Sequence, residues 1–231
     1  MTEQFAQHGI DARFFSAFEI HGPVENVPGY DAQARRRRYG FQLTKGEVGC
    51  YLSHRAVWHQ LVESGDDAWC VMEDDLMLVD GFKKTTAELY ETRAHWDVVR
   101  LMGIIKRPQT EYAVLGSGVK VMWMDRQPVG SQCYVLTRDA AIRLLDYTDK
   151  ILHALDIAID RHWEHGLRLF ITSPEFVSHA AIASTIGPRD ASKTLAIRMK
   201  EKLYRRLDKF SAALYNARNR PTKPTHLSSN F

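Results

Sequence analysis

This sequence predicts an α/β fold: a mostly parallel sheet flanked by helices, followed by a basic helical tail. Two observations carry the prediction. Between residues 44 and 102 the chain alternates helix, strand, helix, strand, the rhythm of parallel strands joined by crossover helices. The strand signals are short, apolar and bounded by glycine or carboxylates. With 231 residues, 45% hydrophobic and 26% charged, the chain has the balance of a globule with a sizeable core, not a disordered or fibrous protein. No apolar run approaches the roughly 18 residues that cross a bilayer, and Met1 to Ile10 lacks the basic-then-apolar order of a secretory signal. A cytoplasmic place is the expectation. Cys50, Cys70 and Cys133 are odd in number and lack metal-site spacing, so they read as small buried apolar side chains.

Taken in order, Thr2 to His8 reads as a short helix closed by Gly9, and Ala12 to Phe18 as an aromatic strand. Gly22 to Phe41, with Pro23, Pro28 and the run Arg35 to Arg38, reads as an exposed loop with a solvated basic patch. Thr44 and Glu47 have capping-box spacing ahead of a stripe through Val48, Tyr51, Trp58 and Leu61, and Gly65 ends that helix. Ala68 to Met72 is an apolar strand that runs into Glu73-Asp74-Asp75. A helix from about Gly81 to Thr92 leads to a strand at Asp97 to Met102; further strands are expected at Gly118 to Met124, Ser131 to Leu136 and Leu167 to Thr172. Thr137 starts a helix, and Asp156 suits the N-cap of another over Ile157 to His165.

Whole-chain charge conceals an asymmetry. The net charge is +3, yet from Arg189 to Lys223 eleven Lys and Arg face three Asp and Glu, leaving the remainder near −5. Within this tail Leu195, Met199, Leu203, Leu207, Phe210 and Leu214 form one helical stripe beside Arg198, Lys202, Arg205, Arg206 and Lys209. Docking on an anionic membrane face and packing against the body with a solvated basic face are both open from sequence. The organisation expected is a catalytic domain over 1–187 and the tail over 188–231.

Three consecutive carboxylates at a strand's end repel one another unless a cation or solvent relieves them. Oxygen ligands of this kind suit Mg²⁺ or Mn²⁺, which keep positions open for water and diphosphate oxygens. Asp74 and Asp75 are the metal candidates, with Asp75 standing farthest out of the strand. Asp156 and Asp160, four residues apart on one helical face, are candidates for a general base; Asp156 serves equally well as a cap. His54 reads more as a hydrogen-bonded structural histidine than as a base, and His179 as a third metal ligand or a surface side chain.

The run Glu47-Val48-Gly49-Cys50-Tyr51-Leu52-Ser53-His54, followed by Val71-Met72-Glu73-Asp74-Asp75, resembles glycosyltransferase family 25. The likeness continues through residues 130–137, Asp156 and residues 173–177, over roughly residues 1–187. It implies a GT-A-like (Rossmann-like) fold, a nucleotide-sugar donor such as UDP-galactose, a glycan acceptor such as a lipooligosaccharide core, and a metal motif on Glu73, Asp74 and Asp75. Glu47 and His54 join the donor-binding set on this resemblance. Members usually open with an Ile-Asn-Leu strand, absent from these 231 residues; a donor pocket weakened by its loss is the expectation. The alternative is a catalytically impaired member that binds only glycan or membrane. A nucleic-acid partner, resting on Arg35 to Arg38 and the basic tail, is the weakest reading.

Overall fold

The computed structural model describes residues 1–179, 194–224 and 227; the domain boundary expected at 187/188 lies outside the described residues. Helix α1 (Thr2–Gln7) is followed by α2 (Ala32–Tyr39) and the long α3 (Lys45–Ser64). Strands β1 (Ala68–Met72) and β2 (Leu76–Leu78) precede α4 (Phe82–Glu91), and β3 (Val98–Arg100), β4 (Thr110–Val114), β5 (Lys120–Trp123) and β6 (Cys133–Thr137) follow it. The chain continues through α5 (Arg138–Tyr147), α6 (Leu155–Asp160), α7 (His162–His165), β7 (Leu169–Ser173), β8 (Val177–His179) and α8 (Leu195–Asn219).

Six strands form one sheet in the order β1-β6-β3-β7-β5-β4, and β2 pairs with β8 beside it. The mostly parallel sheet expected from the sequence is corrected here. Only β3 and β7 run parallel; the other neighbours in the six-stranded sheet are antiparallel. The crossover logic was sound for β1 and β3, which point the same way on either side of α4. What local rhythm does not reveal is that β6, from later in the chain, inserts antiparallel between them.

Strand alternation divides the core between the two faces of the sheet. Val98, Tyr134, Leu136 and Leu169 pack with Tyr51, Trp58 and Leu144 of α3 and α5. Val99, Val135 and Phe170, one residue along, pack with Phe5, Leu89 and Phe176 on the opposite face. Consecutive apolar residues in β3, β6 and β7 are thus explained by burial on both faces.

Three local expectations change. Ala12 to Phe18 is extended but joins no ladder; β1 ends the sheet beside an open cleft of about 420 Å³ lined partly by Gly9, Asp11, Lys83 and Tyr90. Residues 35–38 are helical, because the Asp31 side chain caps the Ala34 N–H and Gly40 ends α2 in the left-handed region. Arg35 is buried there, donating to the Leu152 carbonyl and lying 4.0 Å over the Tyr39 ring, and Arg38 pairs with Asp208, whereas Arg36 and Arg37 are exposed, so half of the run is solvated as expected. All three cysteines are free; Cys133 is buried as expected, whereas Cys50 is half-buried and Cys70 exposed.

Candidate functional site

Helix α3 builds one wall of the site, and each residue of its motif has a separate task. Thr44 and Glu47 form the complete capping box, Thr44 Oγ1 accepting from the Glu47 N–H and the Glu47 carboxylate from the Thr44 N–H. Gly49 allows close approach: a Cβ there would stand 2.4 Å from the Phe18 carbonyl oxygen. One turn on, Ser53 Oγ accepts from the Phe18 N–H at 2.9 Å, fixing the extended segment against the helix. Cys50 and His54 face the carboxylates.

His54 is buried, its ring stacked on Tyr134 and edge-on to Trp58. Trp58 Nε1 donates to the Tyr134 hydroxyl at 2.8 Å, and that hydroxyl stands 2.7 Å from His54 Nδ1. An indole N–H can only donate, so the phenol O–H is assigned as donor to an unprotonated Nδ1, leaving Nε2–H directed at Glu73 Oε1, 3.8 Å away. Burial lowers the imidazole pKa to about 4, so it is neutral near pH 7.

Glu73 leaves β1 with its N–H on the Gln132 carbonyl and its side chain accepting from Ser131 Oγ. Burial raises its pKa to about 6, opposed by the Ser131 hydrogen bond and reinforced by the charges of Asp75, Asp156 and Asp74. Asp74 is exposed in the turn that follows, while Asp75 is half-buried and its Oδ1 is buried without a hydrogen-bond partner. His179 on β8 lies opposite Leu76, the residue after Asp75, and is exposed. A carboxylate oxygen left orphaned among other carboxylates fits a hard divalent cation. Among the described residues, Cys50, His54 and Glu73 also bring ligand atoms within 4.8 Å of one another. That trio is less suited to Mg²⁺ or Mn²⁺, and burial first, then the charge of Glu73, holds the Cys50 thiol protonated with its pKa pushed up to about 12.

Asp156 is not the cap of α6. Ala154 occupies that position, and Asp156 sits in the first turn with Oδ1 accepting from the Ile157 N–H. Its charge reaches both Glu73 and Cys50. Asp160, on the same short helix, is placed differently: it is buried, pairs with Arg100 at 2.6 Å and accepts from the Val129 N–H. Arg100 further donates to the Gly130 carbonyl and to Gln127 Oε1, so the two side chains pin residues 127–130. Val129 there has a φ of 64°, an unfavourable value for a β-branched residue, imposed next to the Ser131 that touches Glu73.

Sequence reasoning assigned no site role to Arg100, Tyr134, Trp58 or Ser131, although Trp58 lies on the α3 stripe and Ser131 and Tyr134 fall within the 130–137 likeness. The available signal was a lone arginine in the apolar strand Val98-Val99-Arg100, since a buried charge needs a partner elsewhere in the chain.

The sequence profile described as glycosyltransferase family 25 (LPS biosynthesis protein) matches residues 1–161. The chain belongs to glycosyltransferase family 25. Among curated relatives of this family-25 protein, the rat (Rattus norvegicus) "Probable inactive glycosyltransferase 25 family member 3" is 30% identical over 190 residues, 73% of this chain and 32% of the relative. "Procollagen galactosyltransferase 1" of Danio rerio is 30% identical over 95 residues, 39% of this chain and 15% of the relative. The human "Inactive glycosyltransferase 25 family member 3" is 35% identical over 97 residues, 40% of this chain and 16% of the relative. The chain therefore spans about a third or less of the curated relatives it matches. The mixed α/β architecture is consistent with a GT-A-like fold, and the helix expected in the C-terminal tail is present as α8.

Proposed function

We propose that this family-25 protein is a metal-dependent hexosyltransferase that moves galactose from UDP-galactose, with inversion, to a glycan acceptor such as a lipooligosaccharide or lipopolysaccharide core. The observation that carries the reading is the orphaned Asp75 Oδ1 among Glu73, Asp74 and Asp156. Mn²⁺ or Mg²⁺ bound there would neutralise charge developing on the departing diphosphate. Asp75 and Asp74 would hold the cation, with His179 across the β2–β8 ladder as a further ligand. Glu73, kept in place by Ser131, closes the inner side of the donor site, and neutral His54 presents an N–H to it without adding charge. Glu47 supports this wall through its cap. Asp156 is the proposed base that takes the acceptor hydroxyl's proton. Asp160 is assigned a positioning role through Arg100 and Val129. The acceptor would be met at the inner face of the cytoplasmic membrane, where a glycolipid is accessible.

Purified protein with UDP-galactose and Mn²⁺ should release UDP and label a deacylated lipopolysaccharide core; Asp75→Ala should abolish both. No turnover with a panel of nucleotide sugars, despite glycan binding, would favour the impaired alternative. The relatives named inactive keep that second reading in view.

A further inference from the structure

Helix α8 sits on the body the wrong way round for an ordinary amphipathic helix. Its polar side faces inward. Asp208 accepts from Arg38 at 2.7 and 2.6 Å and from Arg161 at 2.9 Å, while Asn216 bonds His162 Nε2 at 2.8 Å and the Asp125 carbonyl at 2.9 Å. Ala212, one turn from each, is buried, and Tyr204 lies beneath the Arg38 guanidinium. These residues recur at three- and four-residue spacing and define the docked side. The stripe Leu195, Met199, Leu203, Leu207, Phe210 and Leu214 falls on the other side, each residue between 43% and 74% exposed.

We propose that α8 is an interfacial anchor that lays this stripe on an anionic lipid bilayer. The inference deepens the membrane placement in the proposed function and is independent of sugar transfer. Charge complementarity selects the occupant. Arg198, Lys202, Arg205, Arg206 and Lys209 line one shallow depression of about 380 Å³ along the flank of the stripe, with no carboxylate among its lining residues. A bilayer with anionic headgroups rewards both features at once, because apolar side chains enter the acyl boundary while the basic flank meets phosphate. A nucleic acid would leave six large apolar residues in water, and a second copy would bring two basic flanks together. Among the described residues no helix is long and apolar enough to cross a membrane, so α8 lies on the surface. The ion pairs of Asp208 hold the stripe outward before any lipid is met.

The test is sedimentation of the full chain with vesicles of phosphatidylcholine alone or mixed with phosphatidylglycerol. Expected are binding to the mixed vesicles, weakening with added salt, and a loss of about tenfold or more for Leu207→Glu/Phe210→Glu. Both positions are at least half exposed, so the melting temperature should hold; Lys202→Glu/Arg206→Glu should lose binding in the same way without altering the stripe. Equal partitioning of wild type and both double variants, or equal binding to the two vesicle types, would overturn the proposal. So would a soluble dimer that ignores vesicles and dissociates in Leu207→Glu/Phe210→Glu. Stripe-dependent binding by a protein that transfers no sugar would sink the enzymatic reading and leave this one standing.

Discussion

The hydroxyl of Tyr134 stands 2.7 Å from His54 Nδ1, joining strand β6 to the motif helix α3 at the point where His54 faces Glu73. The same oxygen accepts from Trp58 Nε1, so one phenol satisfies two buried ring nitrogens. Tyr134→Phe should cost about 2 kcal/mol, since a buried polar group left without its partner costs about 1–3 kcal/mol. It should also slow transfer by freeing the His54 ring. Denaturant unfolding checks the first and steady-state kinetics the second; unchanged stability would mean that the phenol carries no such load.

Replacing Asp75 separates function from folding. Its Oδ1 has no hydrogen bond to lose and its charge raises the pKa of Glu73, so Asp75→Asn should leave the melting temperature unchanged or higher. Activity should fall at least about hundredfold, the scale of losing one element of charge stabilisation in a transition state. Calorimetric titration of Mn²⁺ should show weakened binding in parallel. Wild-type transfer by Asp75→Asn would remove Asp75 from the metal site.

Gly49 is a second place where the motif can be tested. Adding a Cβ 2.4 Å from a backbone carbonyl forces either α3 or the segment at Phe18 to shift. Gly49→Ala should therefore destabilise by about 1–3 kcal/mol, the usual cost of overpacking, despite the better helix propensity of alanine. A melting temperature equal to that of wild type would show that the segment yields freely.

The pair of Arg100 and Asp160 is buried and holds the 127–130 segment, so removing one partner should be worse than removing both. Arg100→Met alone should cost about 3–5 kcal/mol by stranding Asp160, and the double change Arg100→Met/Asp160→Leu should recover part of it. A double-mutant cycle measures the coupling. Additive losses would mean that the two side chains act independently.

These residues also mark where the sequence was readable. The capping box, α4, β1 and the Thr137 cap of α5 are set by neighbours within four residues, and local chemistry identified them correctly. The insertion of β6 between β1 and β3 depends on a pairing about 65 residues away, which no local pattern encodes. The run Arg35 to Arg38 misled in part because a charge run reads as solvated: Arg36 and Arg37 are exposed, but Arg35 lies over Tyr39 and Phe41 and Arg38 pairs with Asp208. At the site, the carboxylates after β1 were visible as a cluster. The chain through Arg100, Val129 and Ser131 that braces them was not, because each contact crosses a loop.

The last prediction concerns acid. His54, His153 and His162 are buried and His165 is half-buried; burial is the chief cause that lowers all four pKa values, to about 4 for His54 and His165 and about 3 for His153. Below the ordinary histidine pKa near 6.5 the unfolded chain binds protons that the native state refuses, so stability falls with pH by up to about 1.4 kcal/mol per pH unit for each. Glu73 and Asp160 oppose this with pKa values raised to about 6, again by burial first: between pH 6 and about 4 the native state binds protons that the unfolded chain does not. Four histidines against two carboxylates still leave a decline from pH 6.5 to about 4.5, which the carboxylates make shallower. Below that the carboxylates are protonated in both states and their support ends, while Asp208 and Glu164, whose pKa values are lowered despite burial by Arg161 and, for Asp208, Arg38, begin to lose their ion pairs. Melting temperature should therefore drop gently to pH 4.5 and steeply beneath it. His54→Gln should flatten the shallow limb, and a stability maximum near pH 4 would contradict the neutral state assigned to these imidazoles.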